Sequence, residues 1–330
     1  MRCSLKVLLI AAALAQTTFG ASLLALSKTD RTMAIVDPAT LKILGKLPTG
    51  PDPHEVIAST DGRTAYVSNY GGGAYNTLAV LDLMAPKALP SVDLGALRGP
   101  HGLLFSGGKL WFTAEAAKAI GSYDPGSSKV DLILGTGQDR THMIYVTSDL
   151  RRIVTSNIAS ATMTVIEKMT NAGGRGPQTD WKETVIPVGR GAEGFDVSPD
   201  GKEIWAANAQ DGTISVIDFA AKKVVATLNA NVQGANRLKF TPDGKLVFVT
   251  LINGPEVVVL DTAMRNQRTR IPVGHGAEGL LMQPDGSRAF VSCTPDDYIA
   301  LVDLKTLQVT GHLDVGKQPD GLAWVQGSPK

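Results

Sequence analysis

The sequence predicts an all-β fold, a seven-bladed β-propeller with four-stranded blades whose last blade is closed by strands from both chain ends. Three observations carry the prediction. A strand–turn–strand unit recurs along the chain. The composition suits many short strands joined by turns, with 35 Gly and 18 Pro among 330 residues and 5% aromatic residues. The last unit is incomplete, and the strands it lacks stand at the other end of the chain.

The unit is clearest in the fourth blade, where the strand before Pro199-Asp200-Gly201 is followed by strands at Glu203–Asn208, Thr213–Asp218 and Lys223–Leu228. Pro presets φ and Gly accepts a positive φ, so Pro-Asp-Gly makes a sharp reversal. Blade five repeats it with Thr241–Gly244, Val247–Thr250 and Val257–Asp261, and blade six with Gln283–Gly286, Phe290–Cys293 and Ile299–Asp303. Blade one has Thr60–Gly62, Tyr66–Asn69 and Leu78–Asp82; blade two has Ser106–Gly108, Trp111–Ala114 and Ile120–Asp124. Blade three is degenerate, with Asp149-Leu150, Ile153–Asn157 and Met163–Glu167. Gly316–Val325 reads as a lone first strand. Leu23–Ser27, Met33–Asp37 and Leu41–Leu47 complete it as a seventh blade, and a closed ring leaves no open sheet edge.

Tyr66-Val67-Ser68-Asn69 with Thr60-Asp61-Gly62 resembles the YVTN family of propeller repeats, a likeness that covers nearly all of the chain after its leader. It implies the architecture and says little of activity. Two local likenesses point to chemistry. Asn69–Gly73 is similar to a segment of the phosphogluconolactonase-like propellers, and Gly99–Gly102 with Leu110–Thr113 and Ala119–Gly121 is similar to the streptogramin B lyase propellers.

Arg2 and Lys6 precede the apolar run Val7–Ala15, which small and polar residues follow. That is the pattern of a secretory signal over residues 1–21, with cleavage between 15 and 21, and residues 22–330 are then one propeller domain. The expected location is the periplasm or the exterior, with no membrane anchor. Formal charge is +1 and basic residues do not cluster, which argues against nucleic acid as a partner. The expected partner is a small molecule or a protein at the channel mouth, engaged by a monomer. Cys293, in a strand, reads as a small buried side chain.

Aligning the innermost strands sets one polar residue at the same point of each blade: His54, His101, His142, Glu193, Asn236, Glu278 and Asp320. The spacings are 47, 41, 51, 43, 42 and 42 residues. Each follows the loop entering its blade, so the seven side chains are expected around one mouth of the central channel. This ring is the candidate ligand-binding site. His54, His101, His142 and Glu193 also make a candidate donor set for a divalent metal ion, because imidazoles and a carboxylate suit zinc or a similar ion. The bland alternative is a solvated channel rim. Asn69, Asn157, Asn208 and the glycine-rich Tyr70–Asn76 loop are expected on the same face, the loop either as a cap or as plain surface. Thr170–Asp180 is expected on the opposite face as a flexible loop. His275 and His312 read as surface residues, and Trp111, Trp205 and Trp324 as core between blades.

The first functional reading is an exported binding or interaction protein, with no catalytic signature such as Gly-x-Ser-x-Gly in the chain. The second is a lactone hydrolase or lyase, with His101 or His142 as general base. A third is a metal- or tetrapyrrole-handling propeller.

Overall fold

The computed structural model describes residues 20–173 and 176–327, with side chains throughout except at 171–178. The expected leader lies outside the described residues apart from its last two. Seven four-stranded antiparallel sheets form the ring, a seven-bladed β-propeller. Six blades are continuous in sequence, beginning with the innermost strands Pro53–Ala58, Pro100–Ser106, Thr141–Val146, Ala192–Val197, Ala235–Phe240 and Ala277–Met282. In the seventh, Pro319–Val325 is innermost and pairs with Ser22–Ser27, which continues outward to Thr32–Val36 and Ile43–Pro48.

Local chemistry explains the turns. The aspartate that ends the third strand accepts backbone N–H bonds from the turn that follows it: Asp37 from Ala39, Asp218 from Ala221, Asp303 from Lys305 and Thr306. Such Asx turns close the hairpin to the outer strand. In the turns between first and second strands, Asp200 accepts from Lys202 and Ser198, and Gly201 takes φ 71°.

Burial is concentrated between blades. Trp205 and Ile214 of blade four pack with Phe240, Val247 and Val249 of blade five. The seam that closes the ring is equally apolar: Leu24, Leu26 and Met33 meet Val56 and Val67 on one side, while Leu23 and Ala25 meet Phe290 and Ile299 on the other. The chain ends are thereby held by the same hydrophobic burial that joins internal blades.

Two expectations need correcting. Thr170–Asp180 is not a loop: the outer strands of blade three run on as Thr162–Gly173 and Gly176–Pro187, paired through Thr170 with Thr179 and Lys168 with Trp181. β-branched residues on both arms, and Trp181 on the second, favour that extension. Trp324 is only half-buried and lines the channel, whereas Trp111 and Trp205 are core as expected.

Candidate functional site

The innermost strands share an irregularity that builds the site. In every blade the pairing of first and second strands shifts register at the ring position, as between Pro53 and Val56, Thr141 and Ile144, or Ala235 and Leu238. A bulge breaks the strict in–out alternation of a strand. Two successive residues can then turn toward the channel, the ring residue and the one after it. In blades two, four, six and seven the second is glycine: Gly102, Gly194, Gly279 and Gly321. A Cβ there would lie 2.7, 2.4, 2.2 and 2.4 Å from the carbonyl oxygens of His142, Asn236, Asp320 and His54, so only glycine lets neighbouring innermost strands approach. Blades one, three and five carry Glu55, Met143 and Arg237 at this point instead.

The third letter of the second-strand motif fastens the bulge. Thr113 Oγ1 accepts from Gly102 N–H at 2.9 Å and donates to the His142 carbonyl at 2.7 Å. Ser156 accepts from Met143 N–H and donates to the Glu193 carbonyl at 2.7 Å. Ser68 accepts from Glu55 N–H, Thr250 accepts from Arg237 N–H, and Ser292 donates to the Asp320 carbonyl. Each hydroxyl satisfies a buried backbone group, and several link one blade's bulge to the next blade's ring residue.

The seven ring residues meet at one mouth, joined in a chain of contacts. The imidazole of His54 lies 4.7 Å, centroid to centroid, from that of His101, and His101 lies 3.8 Å from His142. His142 Nε2 is 3.9 Å from Glu193 Oε1, to which Asn236 Nδ2 donates at 2.8 Å. On the other side His54 Nδ1 is 3.6 Å from Asp320 Oδ2. Lys28 Nζ sits 3.2 Å from Asp320 Oδ2 and 3.3 Å from Glu278 Oε2.

Loops add residues that the repeat pattern did not single out. Tyr70, the first residue of the glycine-rich loop, lies 5.0 Å from both the His54 and His101 rings, so this loop caps the mouth. Its hydroxyl donates to Glu115, which also accepts from Arg140 Nε at 2.7 Å and lies 3.7 Å from His142 Nδ1. Lys28 and Glu115 come from the equivalent loops of their own blades, the ones that join second and third strands. Asn69, Asn157 and Asn208 are buried and tie second to third strands through Thr77, Thr162 and Thr213; they do not enter the mouth. His275 is exposed beside Asp296, and His312 is exposed against Tyr298.

Burial governs the protonation states. It pushes His54 down to about 4, with Lys28 and Arg237 adding to the effect against Asp320. His101 is also well below its ordinary value, by burial first and then because protonating it would set its charge against the His142 and His54 imidazoles, Arg237 and Lys28. Both rings are therefore neutral near pH 7, each with one nitrogen as acceptor. Burial would raise the Asp320 carboxyl, but His54, Lys28 and Arg237 outweigh it and keep Asp320 ionised. Burial likewise opposes ionisation of Glu115, yet His142, Tyr70 and Arg140 hold its carboxyl at about 2.

Several buried polar atoms of this ring have no hydrogen-bond partner in the protein: His54 Nδ1, His101 Nδ1, both nitrogens of His142, Asn236 Oδ1 and both Asp320 oxygens. Lys28 approaches Asp320 without an aligned hydrogen bond. The proposed metal donors His54, His101, His142 and Glu193 share the mouth, but the imidazoles pack ring against ring. Among the described residues no group of three or more His, Cys, Asp or Glu side chains is arranged to hold a metal ion.

No protein-family model matches the chain. The "Uncharacterized protein YncE" of Salmonella typhimurium is 25% identical over 146 residues, 43% of this chain and 41% of YncE. The match thus spans less than half the length of that curated relative. Among solved structures, a provisionally assigned 6-phosphogluconolactonase of Bacteroides fragilis superposes with a TM-score of 0.76 at 15% identity, over 94% of this chain and 99% of that one. The dihydro-heme d1 dehydrogenase NirN superposes with a TM-score of 0.63 at 16% identity, over 89% of this chain and 63% of that one. Likenesses of this kind establish the propeller fold alone.

Proposed function

We propose that the chain is an exported binding protein that seats a small polar molecule, rich in hydrogen-bond donors, at the channel mouth. One observation carries the reading: buried polar atoms of His54, His101, His142, Asn236 and Asp320, five of the seven ring positions, have no hydrogen-bond partner in the protein. Buried polar groups take partners, so each is matched by solvent or by a ligand that displaces it. Asn236 Oδ1 and both oxygens of the ionised Asp320 are acceptors, and each neutral imidazole of His54 and His101 offers one acceptor nitrogen; hydroxyl or ammonium groups on the ligand would satisfy them. Tyr70 covers two of the imidazoles and would supply an apolar face. Export rests on the leader-like pattern of residues 1–21.

Thermal shift with a panel of polyols, sugar lactones and alkylammonium compounds tests the idea on wild type, His101→Ala and Asp320→Asn. At least one compound is expected to stabilise wild type, and both substitutions are expected to abolish that response. A panel without effect, or a response that survives both substitutions, rejects the mouth as the binding site.

A second reading is lactone hydrolysis. Its motivation is His142, set between Glu115 and Glu193, where a carboxylate can orient an imidazole that takes a proton from water. The local likeness to lactonase propellers points the same way. Release of acid from a lactone panel by wild type, lost in His142→Ala and reduced in His101→Ala, is the expected result; activity retained by His142→Ala would exclude it as the base.

A further inference from the structure

We infer that the channel holds a second site, inward of the ring, for a neutral amphiphile with an oxygen acceptor at one end. Beyond the polar mouth the lining changes character. A cavity of about 300 Å³ is walled by apolar side chains from six blades, among them Ile57, Leu104, Met143, Phe195, Leu281 and Trp324. That volume is at the small end of ligand pockets. Apolar side chains that face a shared cavity gain by excluding water, and an apolar body filling it would do so.

The charges on the wall specify the rest of the ligand. Arg237 is paired with Glu55, and Lys239 Nζ lies 3.5 Å from Asp196 Oδ1, so each charge has its counter-charge and neither ionic headgroup is favoured. The Arg237 side chain is 7% exposed, and its Nη1 is buried with no partner although Nη2 donates to Glu55. A guanidinium can only donate. The missing partner is therefore an acceptor, and a hydroxyl or carbonyl oxygen supplies one without adding charge beside Glu55 and Asp196. This site shares no side chain with the seven ring positions.

Octan-1-ol, octanoate and octylammonium, titrated into the full-length protein by calorimetry and tryptophan emission, separate the alternatives. Octan-1-ol is expected to bind about ten-fold or more tightly than either ion, because an uncompensated charge is costly to bury. It should shift emission in wild type but not in Trp324→Phe, which still gives binding heat. Met143→Trp fills the cavity and is expected to weaken octan-1-ol binding at least about ten-fold, the loss that blocking an apolar pocket brings; Leu281→Trp serves the same purpose should the first variant fail to fold. The proposal is overturned by absence of octan-1-ol binding, by equal binding of all three compounds, or by undiminished binding in a folded cavity-filled variant.

Discussion

The guanidinium of Arg237, on the innermost strand of blade five, reaches across the channel to the carboxylate of Glu55 on the innermost strand of blade one. Both side chains are largely buried, at 7% and 14% exposure. Arg237 keeps its charge at any ordinary pH. Burial pushes the Glu55 carboxyl up, and Arg237 opposes that rise. The pair bridges blades distant in sequence and marks where the polar mouth gives way to the apolar cavity.

Removing one partner leaves the other buried and unpaired. Glu55→Ala and Arg237→Ala are each expected to cost about 3–5 kcal/mol in denaturant unfolding. The double variant Glu55→Leu/Arg237→Met removes both charges at similar volume and should lose much less than either single change. Single variants as stable as wild type would show that water reaches the pair freely.

The hydroxyls behind the bulges make a separate prediction. Thr113→Val keeps shape but strips Gly102 N–H of its acceptor and the His142 carbonyl of a donor. Each buried group left unmatched costs about 1–3 kcal/mol. Ser156→Ala should behave alike through Met143 and Glu193. An exposed hydroxyl such as Thr40, bonded only to Asp37 in a turn, should tolerate Val within about 0.5 kcal/mol. Equal stability of Thr113→Val and Thr40→Val would refute the fastening role.

These hydroxyls also explain what was legible in the sequence and what was not. The repeat, its turns and the split blade follow from spacing and turn chemistry, because both recur at fixed offsets. His54 and its six counterparts could be aligned for the same reason. Glu55 and Arg237 could not, because strict alternation turns the residue after an inward-facing one away from the channel, and only the bulge returns it. A trace existed nonetheless: that position is glycine in four blades and Glu, Met or Arg in three. Lys28 and Glu115, like Tyr70, each directly follow a second strand, but their residue types differ from blade to blade, and Arg140 lies in another loop, so their convergence is a tertiary fact. Thr170–Asp180 misled because its glycines read as a loop, while pairing across the hairpin extends both strands.

Protonation of the ring gives a pH dependence with a definite sign. His54 is held at about 4, below its ordinary 6.5, so the unfolded chain binds more protons between those values. Stability from the neutral ring is therefore full above about pH 6.5 and is lost as pH falls toward about 4. The shift corresponds to roughly 3 kcal/mol. Glu55 and Glu278, raised by burial, act in the opposite sense, so the measurement is the difference between wild type and His54→Gln. Unfolding free energies across that range should fall more steeply for wild type; parallel curves would mean His54 titrates normally.

Ring closure supports the last prediction. Asp320 reaches the mouth only because Pro319–Val325 joins Ser22–Ser27, and Leu23, Leu24 and Ala25 pair with Trp324, Ala323 and Leu322. Ending the chain after Gln318 would strip this strand away, expose the edge of Ser22–Ser27, and remove Ala323 and Val325 from the core shared with blade one. An unpaired edge strand with an apolar centre, Leu23–Leu26, invites association between molecules. The truncated chain is expected to aggregate or to lack cooperative unfolding, seen by light scattering and circular dichroism. Ending it after Gly327 leaves every described strand intact and should preserve the wild-type melt. A soluble, cooperatively unfolding product ending at Gln318 would show that the ring closes without the seventh blade's inner strand.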